Sequence, residues 1–373
     1  RRPLRSTLFP YTTLFRSSII EWLKTWDFRA ILYSVIAAFI FAIILSWKGF
    51  FHFVLRKAKN AIARRKYINT LRAECGSMIV VGKRHGLAMD EAFIQLDVVK
   101  SELMANRSED DVIPIPRVDL FDGSCILIGG PGAGKSTLAK RRILDELNCG
   151  RRHPLPLLLR LRDYLGFDSI EDAIAHDLKR FEFQSPDREL QDLLQQSGVC
   201  ILDGLDEVKP THRNKVLDDI NIFYHKHYSK RGTLVVTCRR EAYLDTPLDI
   251  PTILEVRPLR DEQIQEFSRK WPPGFPRDKS AQTFWRDLTA IPRIHELARS
   301  PLLLVGGLMQ YTESNAGIPD ERYKYLERVA HWLISDWATA QGHPPDVYRP
   351  LYDRVLPKLA FEKIGRASCR ERV

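Results

Sequence analysis

Apolar and polar positions along this chain follow two rhythms. Cys125–Ile128, Leu155–Leu161, Val199–Leu202 and Leu234–Val236 are runs of nearly consecutive apolar residues, as in strands covered on both faces. Between them, apolar residues recur at helical spacing over Leu138–Leu147, Ser169–Phe181 and Asn214–Ser229, with Ser169 placed to cap its helix. Strands alternating with helices predict an α/β architecture: a parallel sheet flanked by helices. Over residues 256–311 the pattern becomes wholly helical, in Asp261–Trp271 and Phe284–Met309, with a break at Trp271-Pro272-Pro273-Gly274. Ser300 and Pro301 read as the cap and first residue of a further helix, and Asp320–Trp337 as another amphipathic one. No internal repeat is visible.

Nearer the N-terminus, the 18 residues Ala30–Trp47 carry no charge. At helical rise such a run extends about 27 Å, close to the hydrocarbon thickness of a bilayer. Trp22, Trp26 and Trp47 flank it as interfacial residues do. The pattern predicts a transmembrane helix over about residues 30–50, with a buried core helix as the alternative. Lys48, Arg56, Lys57, Lys59, Arg64, Arg65 and Lys66 follow, whereas Glu21, Lys24, Asp27 and Arg29 on the other side cancel. The positive-inside rule then gives a single-pass protein of the cytoplasmic membrane with its C-terminal bulk in the cytoplasm. The basic cluster can serve lipid headgroups or nucleic acid. Its position beside the apolar run favours membrane lipid, and no direct nucleic-acid binding is expected.

The two ends read differently from the rest. A single nucleotide string encodes Thr7–Ser17, and its reverse complement encodes Ile364–Val373. Unrelated protein termini do not share that relation, and the string resembles a sequencing adapter. Residues 1–17 and 364–373 are therefore read as translated adapter and set aside. The expectation is a natural segment from about Ser18 to Lys363, cut short at both ends. Those terminal residues supply six of the ten net positive charges, leaving +4, weak support for a nucleic-acid partner. Apart from Cys369, the cysteines Cys75, Cys125, Cys149, Cys200 and Cys238 are scattered, without a Cys-x-x-Cys pair. They read as small core residues in a reducing compartment, and no zinc site is visible.

The chemistry is concentrated at Gly129-Gly130-Pro131-Gly132-Ala133-Gly134-Lys135-Ser136-Thr137, a Gly-x-x-x-x-Gly-Lys-Ser loop between a strand and a helix. Glycines let the backbone turn its N–H groups toward phosphate oxygens, and the helix N-terminus adds partial positive charge. Lys135 suits the β- and γ-phosphates, and the Ser136 hydroxyl suits Mg²⁺. Val199–Leu202 ends at Asp203-Gly204-Leu205-Asp206-Glu207. Asp203 is the expected Mg²⁺ partner, and Asp206 and Glu207 are placed to polarise or position the attacking water. Leu234–Val236 ends at Thr237-Cys238-Arg239, where Arg239 offers bidentate donors to a γ-phosphate and neighbouring Arg240 is the alternative. All three segments fall at strand carboxyl ends, where ligands bind in such sheets. His225 and His227 lie in a lysine-bearing helix without a third ligand and read as a solvated face.

Together these residues resemble the NACHT family of signal-transduction ATPases, over about Tyr67–Lys363. The carrying motifs are Gly129–Thr137, Ile201–Glu207, Thr237–Arg239 and Ala298–Leu303, and the acidic pair Asp206 and Glu207 after the small residue Gly204 is the most diagnostic. Cys238 stands where a serine is usual. The resemblance implies that Asp203 holds Mg²⁺, Asp206 and Glu207 support hydrolysis, Arg239 senses the γ-phosphate and Pro301 packs near adenine. It also implies ATP and ADP as ligands, a closed ADP state, and an ATP state that forms homo-oligomers in response to an unidentified trigger. The expected organisation is an N-terminal segment over 18–56 with the transmembrane helix, a helical lead-in and linker over 57–120, and a P-loop NTPase core over 121–257. A helical domain over 258–315 and the start of a winged-helix region over 316–363 follow. The function so implied is a slow, regulatory, membrane-anchored ATPase of antiphage defence. A nucleotide-gated transcription regulator and a structural membrane adaptor with a weak ATPase are the alternatives.

Overall fold

The computed structural model describes residues 28–78, 87–101, 123–150, 154–164, 166–243, 248–271, 274–313 and 317–333, together with 354 and 358. The two terminal segments, residues 102–122 of the expected lead-in and linker, and most of the expected winged-helix region lie outside these residues. The chain divides into two compact units, residues 1–62 and 63–373.

Helix α1 runs Phe28–Cys75, 48 residues, and contains the apolar Ala30–Trp47 run. Here the expected transmembrane helix is corrected: among the described residues no helix is long and apolar enough to cross a membrane. The apolar run does not end as a bounded span near residue 50. The helix that contains it continues without a break through Arg56, Lys57, Lys59, Arg64 and Arg65. The expected lipid partner rested on that span and is not supported.

In the second unit the end of α1 is fastened to the sheet domain. Tyr67 is buried, donates its hydroxyl to the Pro156 carbonyl at 3.1 Å and packs edge-on against Phe181. Arg72 donates to the Leu147 carbonyl at 3.2 Å, and Glu74 pairs with Arg160. A small antiparallel pair, β1 (Ser77–Met78) with β2 (Leu87–Ala88), and the short helix α2 (Met89–Ala92) lead into the main sheet.

That sheet has six strands: β3 (Val98–Lys100), β4 (Cys125–Gly129), β5 (Leu157–Arg160), β6 (Val199–Asp203), β7 (Thr233–Arg239) and β8 (Ile253–Val256). Their spatial order is β3-β8-β4-β7-β6-β5, parallel except for β3, which pairs antiparallel with β8. The central strands are apolar on both faces because helices cover both. Ile126, Leu127, Ile128, Cys200, Ile201, Leu202, Leu234, Val235 and Val236 are fully buried. Each aliphatic side chain buried this way contributes about 1.5–3 kcal/mol. The crossovers are α3 (Lys135–Asn148), α4 (Ile170–Arg180), α5 (Pro186–Gln195), α6 (Arg213–Phe223, continuing as a π turn over Tyr224–Tyr228) and α7 (Arg240–Tyr243). Ser169 caps α4 as expected, its hydroxyl accepting the Asp172 N–H at 3.1 Å.

Among the described residues the helices that follow are α8 (Asp261–Arg269), α9 (Ala281–Thr289), α10 (Pro292–Ala298), α11 (Pro301–Glu313) and α12 (Arg322–His331). The single pattern over Phe284–Met309 is thus three helices. Pro292 and Pro301 each open a new one, since proline fits a first helical turn and breaks an interior.

Candidate functional site

Strand order assembles the site. β7 lies between β4 and β6, with Gly129 opposite Arg239 and Leu202 opposite Val236. The glycine loop, Asp203 and Arg239 therefore emerge from one edge of the sheet, although the loop and Asp203 come from strands that do not touch. The first turn of α3 closes the gap: the Ser136 hydroxyl donates to Asp203 Oδ1 at 3.0 Å.

Within the loop, Gly132 and Gly134 hold φ of +71° and +94°, the left-handed region that disfavours side chains. Space forbids a side chain as well. A Cβ on Gly132 would lie 2.6 Å from Leu302 Cβ, and one on Gly134 2.7 Å from Leu96 Cδ1. Gly134 precedes α3, which has no side-chain cap, so the first-turn N–H groups stay directed at the loop's interior. Lys135 folds back on the loop, donating to the carbonyls of Gly129 and Gly130 at 2.9 and 3.0 Å. Burial lowers the pKa of its ammonium, against the opposing pull of Asp206.

Thr237 is the residue whose role the sequence left unassigned. Its hydroxyl donates to Asp203 Oδ1 at 2.6 Å and accepts the Gly204 N–H at 2.8 Å, fixing both the carboxylate and the turn that follows. Only its position at the end of an apolar strand, two residues before Arg239, hinted at this. Neighbouring Cys238 is fully buried in the sheet, and burial pushes its thiol up to about 11. It therefore packs as a small apolar residue would. Gly204 has φ +83°, and a Cβ there would sit 3.2 Å from the Glu207 carboxyl carbon. The small residue lets that carboxylate fold back over the turn.

Asp206 and Arg239 come together as an ion pair. Arg239 Nε lies 2.7 Å from Asp206 Oδ2, and the Arg239 backbone N–H donates to Oδ1 at 3.0 Å. Asp206 is largely buried and Arg239 half exposed. Arg240 turns away to pair with Glu255 at 2.9 Å. Glu207 is half exposed, with Arg162 at 3.8 Å, a distance at which a solvated pair has little hold.

Pro131–Thr137, Asp206, Glu207, Thr237 and Arg239 line one cleft of about 310 Å³, closed on its far side by Pro301, Leu302, Val305 and Trp332. Gly129 and Gly130 stand behind it at the end of β4, and Asp203 stands behind Ser136. The Leu302 N–H donates to the Gly132 carbonyl at 3.3 Å, so α11 docks directly on the loop. Pro301 also borders a small apolar pocket of about 40 Å³ walled by Phe93, Ile94, Leu96, Phe267 and Leu304. The two histidines stand apart from all this: His225 pairs with Asp249 at 2.8 Å, and His227 faces Glu171 at 3.0 Å.

A glycine cradle, an uncapped helix start, a lysine and a hydroxyl on a carboxylate make up the phosphate and Mg²⁺ site of a P-loop NTPase. Residues 124–273 match the NACHT domain family model. The segment 124–273 is a NACHT-type domain. This NACHT domain begins just before β4 and ends after α8, so it takes in the loop, both acidic positions and Arg239. No curated protein matches the chain. Among solved structures it is similar to the Thermotoga maritima RuvB Holliday junction branch migration motor, at 16% identity and a TM-score of 0.29, over 64% of this chain and 80% of that one. Nucleotide binding by a P-loop NTPase of this class is what the NACHT domain brings to the chain.

Proposed function

We propose that the chain is a regulatory, Mg²⁺-dependent ATPase that holds ADP in a closed state and passes to an ATP-bound state that self-associates. The observation that carries this reading is the 3.0 Å bond between Ser136 and Asp203, with Thr237 holding the same carboxylate oxygen. A hydroxyl and one carboxylate, beside room for phosphate oxygens and water, are the hard-oxygen donors Mg²⁺ takes in nucleotide sites. Ser136 and Asp203 would hold it, and it would neutralise charge on the β- and γ-phosphates.

The chain's own groups supply the rest. Backbone N–H groups of Gly132 and of residues 134–137 bind the phosphates. Lys135 exchanges the Gly129 and Gly130 carbonyls for phosphate oxygens, regaining stronger, charge-assisted bonds. Glu207 orients the attacking water and accepts its proton. Arg239 exchanges Asp206 for the γ-phosphate, which ADP lacks. Only the triphosphate offers that differential contact, and only a differential contact shifts a two-state equilibrium. Breaking a well-made ion pair first is consistent with slow turnover. Leu302 and Pro301 put the helical region where it feels the exchange. The adenine would lie toward Pro301. Self-association, the trigger and a part in antiphage defence come from the family resemblance alone.

The test is nucleotide binding by the full chain, measured calorimetrically, with Lys135→Ala beside it and phosphate release followed in parallel. The reading expects ATP and ADP to bind the wild type, and the variant to lose both binding and turnover. Equal affinity in the two proteins would remove it.

A further inference from the structure

Helix α1 carries large apolar side chains in water. Tyr33, Ile36, Val54, Leu55 and Ile62 are between 41% and 69% exposed. At about 100° of turn per residue, all five fall within one arc of about 100° around the helix axis. The exposed Ala37 and Ala58 fall in it too. The sequence sets Ile40, Ile44, Trp47 and Phe51 at the same phase. From residue 33 to residue 62 the arc holds no polar or charged residue, and Arg56, Lys57 and Lys59 all lie outside it.

At 1.5 Å per residue the stripe is about 44 Å long, and on a helix about 10–12 Å across it presents about 500 Å². An exposed apolar patch of that size marks an interaction site. Its length identifies the occupant. Among the other described helices the longest is α3, with 14 residues or about 21 Å. The described helix with the length and spacing to cover the stripe is α1 itself, in a second copy. Two such stripes bury about 1,000 Å² together, where specific interfaces begin. Charge sets the direction. In a parallel pair the cationic stretch Arg56–Lys66 would lie along the same stretch of the other copy, and like charges at neighbouring positions repel. In an antiparallel pair it lies along residues 30–39, which carry no charge. A two-fold axis then lets one set of residues serve both sides.

We propose that α1 pairs antiparallel with α1 of a second copy of this chain through this stripe, in a dimer that needs no nucleotide. The pairing is separate from the ATP-linked self-association of the proposed function and does not rest on it.

The test is the oligomeric state of the nucleotide-free full chain, measured by sedimentation equilibrium. The wild type is expected to be a dimer. Val54→Glu with Ile62→Glu puts charge into the stripe at exposed positions and keeps good helix formers. Its dimer dissociation constant is expected to rise at least about 100-fold, with helical circular dichroism unchanged. Lys57→Gln with Lys59→Gln, off the stripe, is expected to stay dimeric. Should the glutamate variant lose helical signal, Leu55→Ala with Ile62→Ala decides: a dimer weakened about tenfold or more supports the proposal, and an unchanged one overturns it. A helical glutamate variant as dimeric as the wild type overturns it. So does a monomeric wild type, including one that sediments with phosphatidylglycerol vesicles, which would give the stripe to lipid. Lys135→Ala is expected to dimerise as the wild type does, and loss of its dimer would overturn the proposal by making the association nucleotide-linked. A wild type that dimerises but binds no ATP would support this pairing and fail the proposed function alone.

Discussion

Thr237 does two things with one hydroxyl: it takes the Gly204 N–H and gives its own proton to Asp203. Thr237→Val keeps the shape and removes both bonds, leaving a nearly buried N–H and a carboxylate oxygen less well held. The expected cost is about 1–3 kcal/mol of stability, with weaker Mg²⁺-dependent ATP binding, whereas Thr237→Ser retains most of both. Denaturant unfolding and calorimetry check this, and a Val variant indistinguishable from wild type would show that the hydroxyl is idle. Glu207 has no comparable structural work, being half exposed with one distant cation. Glu207→Gln is therefore expected to spare ATP affinity and stability while slowing phosphate release by at least about 10²-fold. Unchanged turnover would place activation of the water elsewhere. At this scale the glycine loop and the acidic cluster were legible, because their spacing is itself the chemistry. The pairing of Asp206 with Arg239 was not, since nothing in either segment says that β7 will lie beside β6.

Among the elements, short runs of consecutive apolar residues marked β4, β6 and β7, and proline placement foretold the start of α11. β8 and β3 escaped notice for physical reasons. Ile253–Val256 alternates exposure and contains Glu255, and Val98–Lys100 is a three-residue edge strand running antiparallel. Neither has the uniform apolarity of a central strand. Between elements, Glu171 near the start of α4 takes bonds from Lys226 and His227 on the π turn after α6, at 2.9 and 3.0 Å. Its partial burial would raise the carboxyl pKa, but those bonds outweigh it and hold the value below the ordinary 4.5. A carboxyl depressed in the folded state contributes stability that is present above 4.5 and is lost as pH falls through the folded value. Glu171→Gln is expected to lower stability at pH 7 and to flatten its decline below pH 4.5. Urea midpoints across that range check this, and parallel curves for the two proteins would contradict it. Gly132→Ala probes the contact between α11 and the loop. With φ at +71° and Leu302 in the way, it is expected to lose at least about 1 kcal/mol of stability and most of the ADP affinity. A variant that melts and binds as the wild type does would disprove that close approach.

For the whole molecule, the proposed function makes nucleotide a second link, beside the Leu302–Gly132 bond, between the carboxyl edge of the sheet and the helices after it. Ligand that binds only the folded state stabilises by mass action, about 2.7 kcal/mol at a hundredfold excess over its dissociation constant. The apolar N-terminal run shows the limit of reading composition without extent. Judged over Ala30–Trp47 it has the length of a membrane span, but the chain makes it part of a 48-residue helix that goes on into a cationic stretch. The central claim is that Ser136 and Asp203, delivered by strands that do not touch, jointly hold the cation of a bound nucleotide. It is tested most directly by measuring ATP affinity with and without Mg²⁺ in the wild type and in Asp203→Asn. The account predicts that Mg²⁺ tightens binding about tenfold or more in the wild type and leaves Asp203→Asn nearly unchanged. An equal Mg²⁺ effect in the two proteins would contradict it.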